Sequence, residues 1–294
     1  SFEEITSIKS EIKEEINSSW HEAENESKTV SASNNEVNDV YMPYKHHEEK
    51  FEGPKSNKRL VDAISDGLRQ SLEIHDNLVV MGQDIAEYGG VFKITDGFVE
   101  KFGKSRIRNT PICESAIVSS AYGLSINGYK SIVEMQFADF VSTGFNPIVN
   151  LLAKSYYRWN ENADVVIRMP TGAGVGAGPF HSQSNEAWFT HTPGLKIVYP
   201  AFPYDAKGLL ISSINDPNPV MFFEHKALYR SVSQDIPDNS YTIELGKGNI
   251  VHEGKDLTIV TYGMGVHWAQ DLLNEVKCSI EIIDLRTLVP LDKE

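Results

Sequence analysis

Leu195-Lys196-Ile197-Val198-Tyr199, then Ala206 to Ile214, then Val220-Met221-Phe222-Phe223, read in turn as strand, helix and strand. The strands are almost unbroken apolar runs. Such runs suit a sheet covered on both faces, and helices between consecutive strands make that sheet mostly parallel. The same alternation recurs on either side. Leu60 to Glu73 is an amphipathic helix, Leu78-Val79-Val80-Met81 a short apolar run ended by Gly82 and Asp84, and Ile117 to Ile126 a small-residue helix closed by Asn127-Gly128. Ser131-Ile132-Val133 and Val165-Val166-Ile167 read as strands, and Phe140 to Trp159 as a helix bent at Pro147. A further unit begins near Asp256, with Leu257 to Thr261 as strand, Val266 to Leu273 as helix and Ile280 to Ile283 as strand. Two strands and one helix are too few to close a core, so the expectation is a C-terminal domain cut short. The fold class is α/β.

Ahead of this lies a stretch of different character. Residues 1–50 carry twelve Asp/Glu and five Lys, half of the net charge of -14. Ile5, Ile8, Ile12, Ile16 and Trp20 recur at helical spacing, which predicts an amphipathic helix over residues 1–20. Residues 21–57 read as an acidic, solvated linker. The helix either docks back on this chain or ends an upstream domain; the opening Ser1 agrees with the second.

Composition narrows the function. An acidic chain repels phosphate backbones, which argues against nucleic acid as a partner. No apolar run approaches a bilayer span, and two unspaced cysteines, Cys113 and Cys278, suggest free thiols in a reducing, cytoplasmic setting. Gly172-Ala173-Gly174-Val175-Gly176-Ala177-Gly178 superficially suits a dinucleotide loop, but Pro170 and Pro179 flank it and no helix can open directly from it. These glycines better suit a loop that carries His181-Ser182-Gln183-Ser184 to a site. His46-His47 reads as surface rather than metal-binding.

Glu114, in Asn109-Thr110-Pro111-Ile112-Cys113-Glu114-Ser115-Ala116-Ile117, is a carboxylate among apolar neighbours with no evident cation. A charge at a helix N-terminus explains part of this. The alternative is a desolvated carboxylate that shares a proton with a ligand. Gln136 and Asp139 read equally as loop or cap residues, and Phe137 and Phe140 as core.

From about Lys58 onward the chain resembles the beta component of thiamin diphosphate dependent 2-oxo acid dehydrogenases, the pyrimidine-domain half of a transketolase-like fold. The residues that carry this are Asn109 to Glu114, Gln136-Phe137-Ala138-Asp139-Phe140, His181 to Ala187, Pro193 to Val198 and Asp284-Leu285-Arg286-Thr287-Leu288. Phe222-Phe223-Glu224-His225-Lys226-Ala227-Leu228-Tyr229-Arg230 is closer to the branched-chain, 2-oxoisovalerate members than to pyruvate dehydrogenase. The resemblance implies a pyrimidine-binding domain over 58–240 and the truncated start of a transketolase C-terminal domain over 241–294. It implies oxidative decarboxylation of a 2-oxo acid with acyl transfer to a lipoyl domain. Sugar-phosphate chemistry of the transketolase or deoxyxylulose phosphate synthase kind is the alternative within the fold, and a noncatalytic module for the acyltransferase core the alternative outside it.

By resemblance, Glu114 hydrogen-bonds the aminopyrimidine ring, and sharing a proton there lets the ring activate the thiazolium carbon for attack on the 2-oxo group. Ile112, Gln136 and Phe140 complete the cofactor wall, Phe140 standing where many relatives carry Tyr. His181 matches the loop histidine that assists transfer to the lipoyl group. Potassium in branched-chain relatives corresponds to Ala163, Val165, Val166, Ser213, Asp216 and Asn218, although Asp216 and Asn218 read equally as turn residues before Pro219. The diphosphate and its magnesium belong to a Gly-Asp-Gly motif on an alpha component, a motif not found in this sequence. The implied partners are therefore an alpha component, fused upstream in a longer chain, a lipoyl domain with its acyltransferase core, and a second alpha-beta unit forming a homo-dimer.

Overall fold

The computed structural model describes residues 1–46 and 53–294, in two compact units, Ser1–Asn38 and Asp39–Glu294. The first unit holds helices Phe2–Asn25 and Ser33–Asn38. Its long helix passes Trp20 and ends at Asn25, since Glu22, Ala23 and Glu24 are good helix formers, and taken by itself it buries no side chain.

The second unit is organised by a seven-stranded sheet. Its spatial order is Thr287–Val289, Lys196–Val198, Val220–His225, Val165–Thr171, Lys130–Glu134, Leu78–Gly82 and Ile107–Asn109. Every neighbouring pair is parallel except the first, where Thr287–Val289 runs antiparallel to Lys196–Val198. Helices cover both faces, which explains the unbroken apolar runs. Val80, Ile132, Val166, Val198 and Phe222 point into one core with Leu68, Leu209 and Leu210 from helices Leu60–Ile74 and Pro203–Asn215. Val79, Val133, Ile167, Ile197 and Phe223 point into the other with Ile117, Val118 and Ala121 from helix Glu114–Ile126. Adjacent strand residues thus serve opposite cores, each fully buried side chain contributing roughly 2–3 kcal/mol.

Three expectations need correction. The stretch from Phe140 to Trp159 is no single bent helix: it breaks into a 3₁₀ turn Ala138–Gly144, helix Phe145–Asn150, a turn Leu152–Lys154 and helix Ser155–Trp159. Pro147 sits in the first turn of its helix, where a missing N–H costs nothing, and Asn160 ends the last one with a left-handed φ of 55°. The linker does not run to residue 57. Tyr41 donates its hydroxyl to the Leu195 carbonyl at 3.0 Å, and Asn218 brackets Met42, accepting from its N–H at 2.8 Å and donating to its carbonyl at 3.0 Å. Lys55–Arg59 pairs antiparallel with Ser233–Pro237. Composition hid these contacts because they use main chain and isolated side chains. His47, with the rest of 47–52, lies outside the described residues.

The third correction concerns the number of strands in the C-terminal part. A third strand, Asn249–His252, pairs antiparallel with Ile280–Asp284, which pairs parallel with Leu257–Thr261. Val266, Ala269, Ile280 and Ile282 gather on Ala201 as a small core. Asn249–His252 was illegible because only its Ile and Val are apolar. Among the described residues, no helix is long and apolar enough to cross a membrane.

Candidate active site

Parallel sheets collect polar groups where strands end, and here the loops leaving the carboxyl ends carry most of the site. Gln83 follows Leu78–Gly82, Gln136 follows Lys130–Glu134, Gly172 follows Val165–Thr171 and Lys226 follows Val220–His225. Glu114 opens helix Glu114–Ile126 rather than preceding it. It is buried, 7% exposed, and no cation lies within ion-pair distance among the described residues. Neutral donors hold it instead: Gln83 Nε2 donates to Oε1 at 3.1 Å and Thr143 Oγ1 donates to Oε2 at 3.0 Å. Helix-terminal N–H groups add a favourable field. A carboxylate has about four lone-pair sites, so each oxygen retains one for a further donor. That donor set fits a nitrogen-bearing ring.

The other sequence-derived residues divide. Thr143 Oγ1 also reaches the Phe140 carbonyl at 2.9 Å, which joins Glu114 to Phe140. The rings of Phe140 and Phe137 meet the His181 imidazole edge-on, with centroids 5.4 and 4.6 Å away. Gln136 donates to Asp84 Oδ2 at 3.1 Å, and Asp84 adjoins Gln83. Ile112 stands apart: it is 85% exposed. Its apolar surface is open in this chain alone.

The His181 loop is pinned at both ends. The Gln183 carbonyl accepts from the Gly172 N–H at 3.0 Å and from Thr171 Oγ1 at 3.1 Å. Asp139, buried, accepts from the N–H of Ser182 and of Gln183 at 3.2 and 3.1 Å. The glycine run opens into a 3₁₀ turn Pro179–His181, consistent with a carrier loop and not with a phosphate-binding helix. Gly172 has φ +80°, and a Cβ there would lie 2.2 Å from His225 Nε2.

Beneath the site lies a buried ionic group. Arg168, 0% exposed, donates to both oxygens of Glu224 at 2.7 and 2.8 Å and to Glu134 at 2.8 Å, while Tyr229 donates to Glu224 at 2.6 Å. Burial opposes the Arg168 charge, but Glu224 and Glu134 outweigh it and hold the proton on. Burial raises Glu134 despite Arg168. Burial, then the charge of Lys226, pushes His225 down to about 4, and burial pulls Lys226 down to about 8 against the opposing field of Asp139.

The side chains at three of the potassium positions, Ser213, Asp216 and Asn218, are already engaged within the chain. Asp216 Oδ2 pairs with the Lys196 ammonium and Oδ1 accepts both nitrogens of Asn218 at 2.9 Å, while Asn218 is committed to Met42. Ser213 donates to the Leu209 carbonyl at 2.7 Å. With an ammonium already on Asp216, these side chains do not fit a second cation.

Sequence reasoning missed Gln83, Asp84, Thr143 and Lys226. Their signal was positional: Gln83 and Lys226 directly follow strands and Asp84 comes next after Gln83, where α/β sites form.

Residues 57–232 match the family described as transketolase, pyrimidine binding domain, and residues 246–294 match transketolase, C-terminal domain. The 2-oxoisovalerate dehydrogenase subunit beta of Bacillus subtilis (strain 168) is 44% identical over 239 residues, 80% of this chain and 73% of that one. The pyruvate dehydrogenase E1 component subunit beta of the same organism is 44% identical over 240 residues, 79% of this chain and 73% of that one. The mitochondrial 2-oxoisovalerate dehydrogenase subunit beta 2 of Arabidopsis thaliana is 45% identical over 246 residues, 80% of this chain and 67% of that one. A solved split-gene transketolase, an inactive beta4 tetramer, shares the fold with a TM-score of 0.65 at 21% identity, covering 81% of this chain and 74% of that one. With its buried glutamate and pinned histidine loop at the carboxyl end of a transketolase-like sheet, the chain belongs to the family of 2-oxo acid dehydrogenase beta subunits.

Proposed function

We propose that this chain supplies the beta half of the active site of a thiamin diphosphate dependent dehydrogenase for branched-chain 2-oxo acids, which passes its acyl group to a lipoyl domain. The observation that carries the reading is Glu114, a buried carboxylate held by two neutral donors and with lone pairs to spare. When bound, the cofactor supplies a nucleophilic carbon and takes up the electrons released as carbon dioxide leaves.

Glu114 holds a proton between its carboxylate and the ring nitrogen. Gln83 and Thr143 fix the carboxylate plane, so the proton is offered in one direction. Phe140 presents a ring face where a tyrosine hydroxyl would add a bond. Gln136, anchored on Asp84, lines the same wall. His181, backed by Phe137 and Phe140, moves a proton at an imidazole nitrogen during transfer to the lipoyl group. Ile112 awaits cover, which suits a partner or cofactor closing over it. The diphosphate and magnesium are assigned to an alpha component, and no step is derived through potassium.

The relatives named above include both branched-chain and pyruvate enzymes at equal identity, so substrate preference rests on Phe222 to Arg230. All three are dehydrogenase subunits, which favours 2-oxo acids over sugar phosphates. The test is decarboxylation by this chain combined with an alpha component, thiamin diphosphate and magnesium, across branched-chain 2-oxo acids and pyruvate. Faster turnover of branched-chain acids is expected; a preference for pyruvate removes the substrate reading, and ketol transfer without decarboxylation removes the reaction class.

A further inference from the structure

Among the described residues, two buried charged atoms under the His181 loop lack a hydrogen-bond partner. Lys226 is 3% exposed and its Nζ makes no hydrogen bond; Asp139 spends Oδ1 on the loop and leaves Oδ2 unmatched. A buried ammonium without hydrogen bonds is costly, and methionine would fill the same volume without that cost. What faces the ammonium is specific. Among the described residues, Asp139 is the charge that pulls its proton affinity back up against burial. The face of Phe137 lies 5.4 Å from Nζ, within cation–π range. His225 adds no charge at neutral pH, because burial holds it down to about 4.

Both partners of Lys226 lead to the same loop. Asp139 accepts from the two main-chain N–H groups that directly follow His181, at 3.2 and 3.1 Å. Phe137 packs against the His181 ring itself, centroids 4.6 Å apart. Lys226 is rooted on the ledge the loop leaves from, its N–H donating to the Thr171 carbonyl at 3.1 Å.

We infer that Lys226 is a positioning residue for acyl transfer: its ammonium, through the Asp139 carboxylate and the Phe137 ring, holds the His181 loop in its working position. The link to acyl transfer rests on the function proposed above; the hold on the loop rests on the Phe137 ring 5.4 Å from Nζ and on the field of Asp139, which itself carries two N–H groups of the loop.

The test has two arms, using Lys226→Met, Asp139→Asn and the double variant. Methionine keeps the volume, and asparagine keeps an acceptor for both N–H groups while removing the charge. In the full chain, hydrogen exchange of peptides covering Ser182 and Gln183 is expected to quicken about tenfold in either single variant and less than about twofold further in the double. In the assembled enzyme, Lys226→Met is expected to slow lipoyl acylation about tenfold or more, and to slow it more than decarboxylation into an artificial acceptor. Exchange unchanged in the single variants, or effects that multiply in the double, overturns the inference, as does equal loss of both partial reactions. A wild-type complex that neither decarboxylates nor acylates defeats the proposed function, and the exchange arm still decides the hold on the loop.

Discussion

Replacing Glu114 by glutamine separates folding from chemistry, and the site geometry says by how much. Glu114 accepts from Gln83 Nε2 at 3.1 Å and from Thr143 Oγ1 at 3.0 Å, while the same hydroxyl stands 2.9 Å from the Phe140 carbonyl. A hydroxyl has a single proton. In Glu114→Gln the amide oxygen keeps the Gln83 contact, the Thr143 proton turns to Phe140, and the new amide N–H donates to the hydroxyl oxygen. Both contacts survive. What is lost is charge assistance and the helix-terminus field, about 1–2 kcal/mol together, offset by no longer burying a charge. The net change in stability is therefore within about 1 kcal/mol, a shift of roughly 2–4 °C in Tm. Turnover falls much further, by about a hundredfold to ten-thousandfold, because an amide has no proton to share at neutral pH. The assay is decarboxylation by the complex with an alpha component, beside a thermal melt of the variant. Turnover within about tenfold of wild type would refute the proton-sharing role, and a large drop in Tm would refute the geometric account.

Other perturbations probe separate parts. His181→Ala is expected to reduce lipoyl acylation by about a hundredfold or more while decarboxylation changes little, read from single-turnover acylation beside an artificial-acceptor assay; equal losses make the histidine structural. Gly172→Ala forces a side chain onto a φ of +80° and onto His225 Nε2 at 2.2 Å, so urea unfolding should show a loss of about 2–4 kcal/mol. Burial, then the charge of Asp205, raises Asp284 from its ordinary 3.8 to about 7 in the folded chain. The folded state therefore binds the extra proton between those values, and stability falls as pH rises from about 4 to 7. Asp284→Asn removes that penalty: at pH 8 it should stabilise by up to roughly 4 kcal/mol, and near pH 4 by almost nothing. A variant equally stable with wild type at both pH values would contradict it.

Much of the fold was legible because burial on both faces leaves an unmistakable mark. Val220 to Phe223 and Val165 to Ile167 have no polar interruption, and the sheet puts alternate residues into two different cores. Ile107–Asn109 and Asn249–His252 left no such mark, since edge strands with exposed Arg108 or His252 carry mixed sequence. The site was legible where a residue type was out of place, as with Glu114 and His181. Thr143 and Gln83 were ordinary residues in ordinary contexts, and only tertiary contact reveals that they hold a carboxylate. Lys226 shows the same limit from the other side: lysine after a strand usually means surface, and nothing in its neighbours announces that its ammonium is sealed in. The engagement of Asp216 and Asn218 was hidden for a similar reason, because Lys196 and Met42 approach them from distant parts of the chain.

The strand Thr287–Val289 gives the boundary near residue 241 an unexpected meaning. It is supplied by the C-terminal segment yet closes the sheet of the preceding one, lying antiparallel to Lys196–Val198. A break placed at the sequence boundary would strip that strand away and leave a row of unsatisfied N–H and C=O groups along Ile197 and Val198, an open template for pairing with another molecule. The two segments are thus separable on paper but share one edge, and the shorter serves as a guard against self-association of the longer.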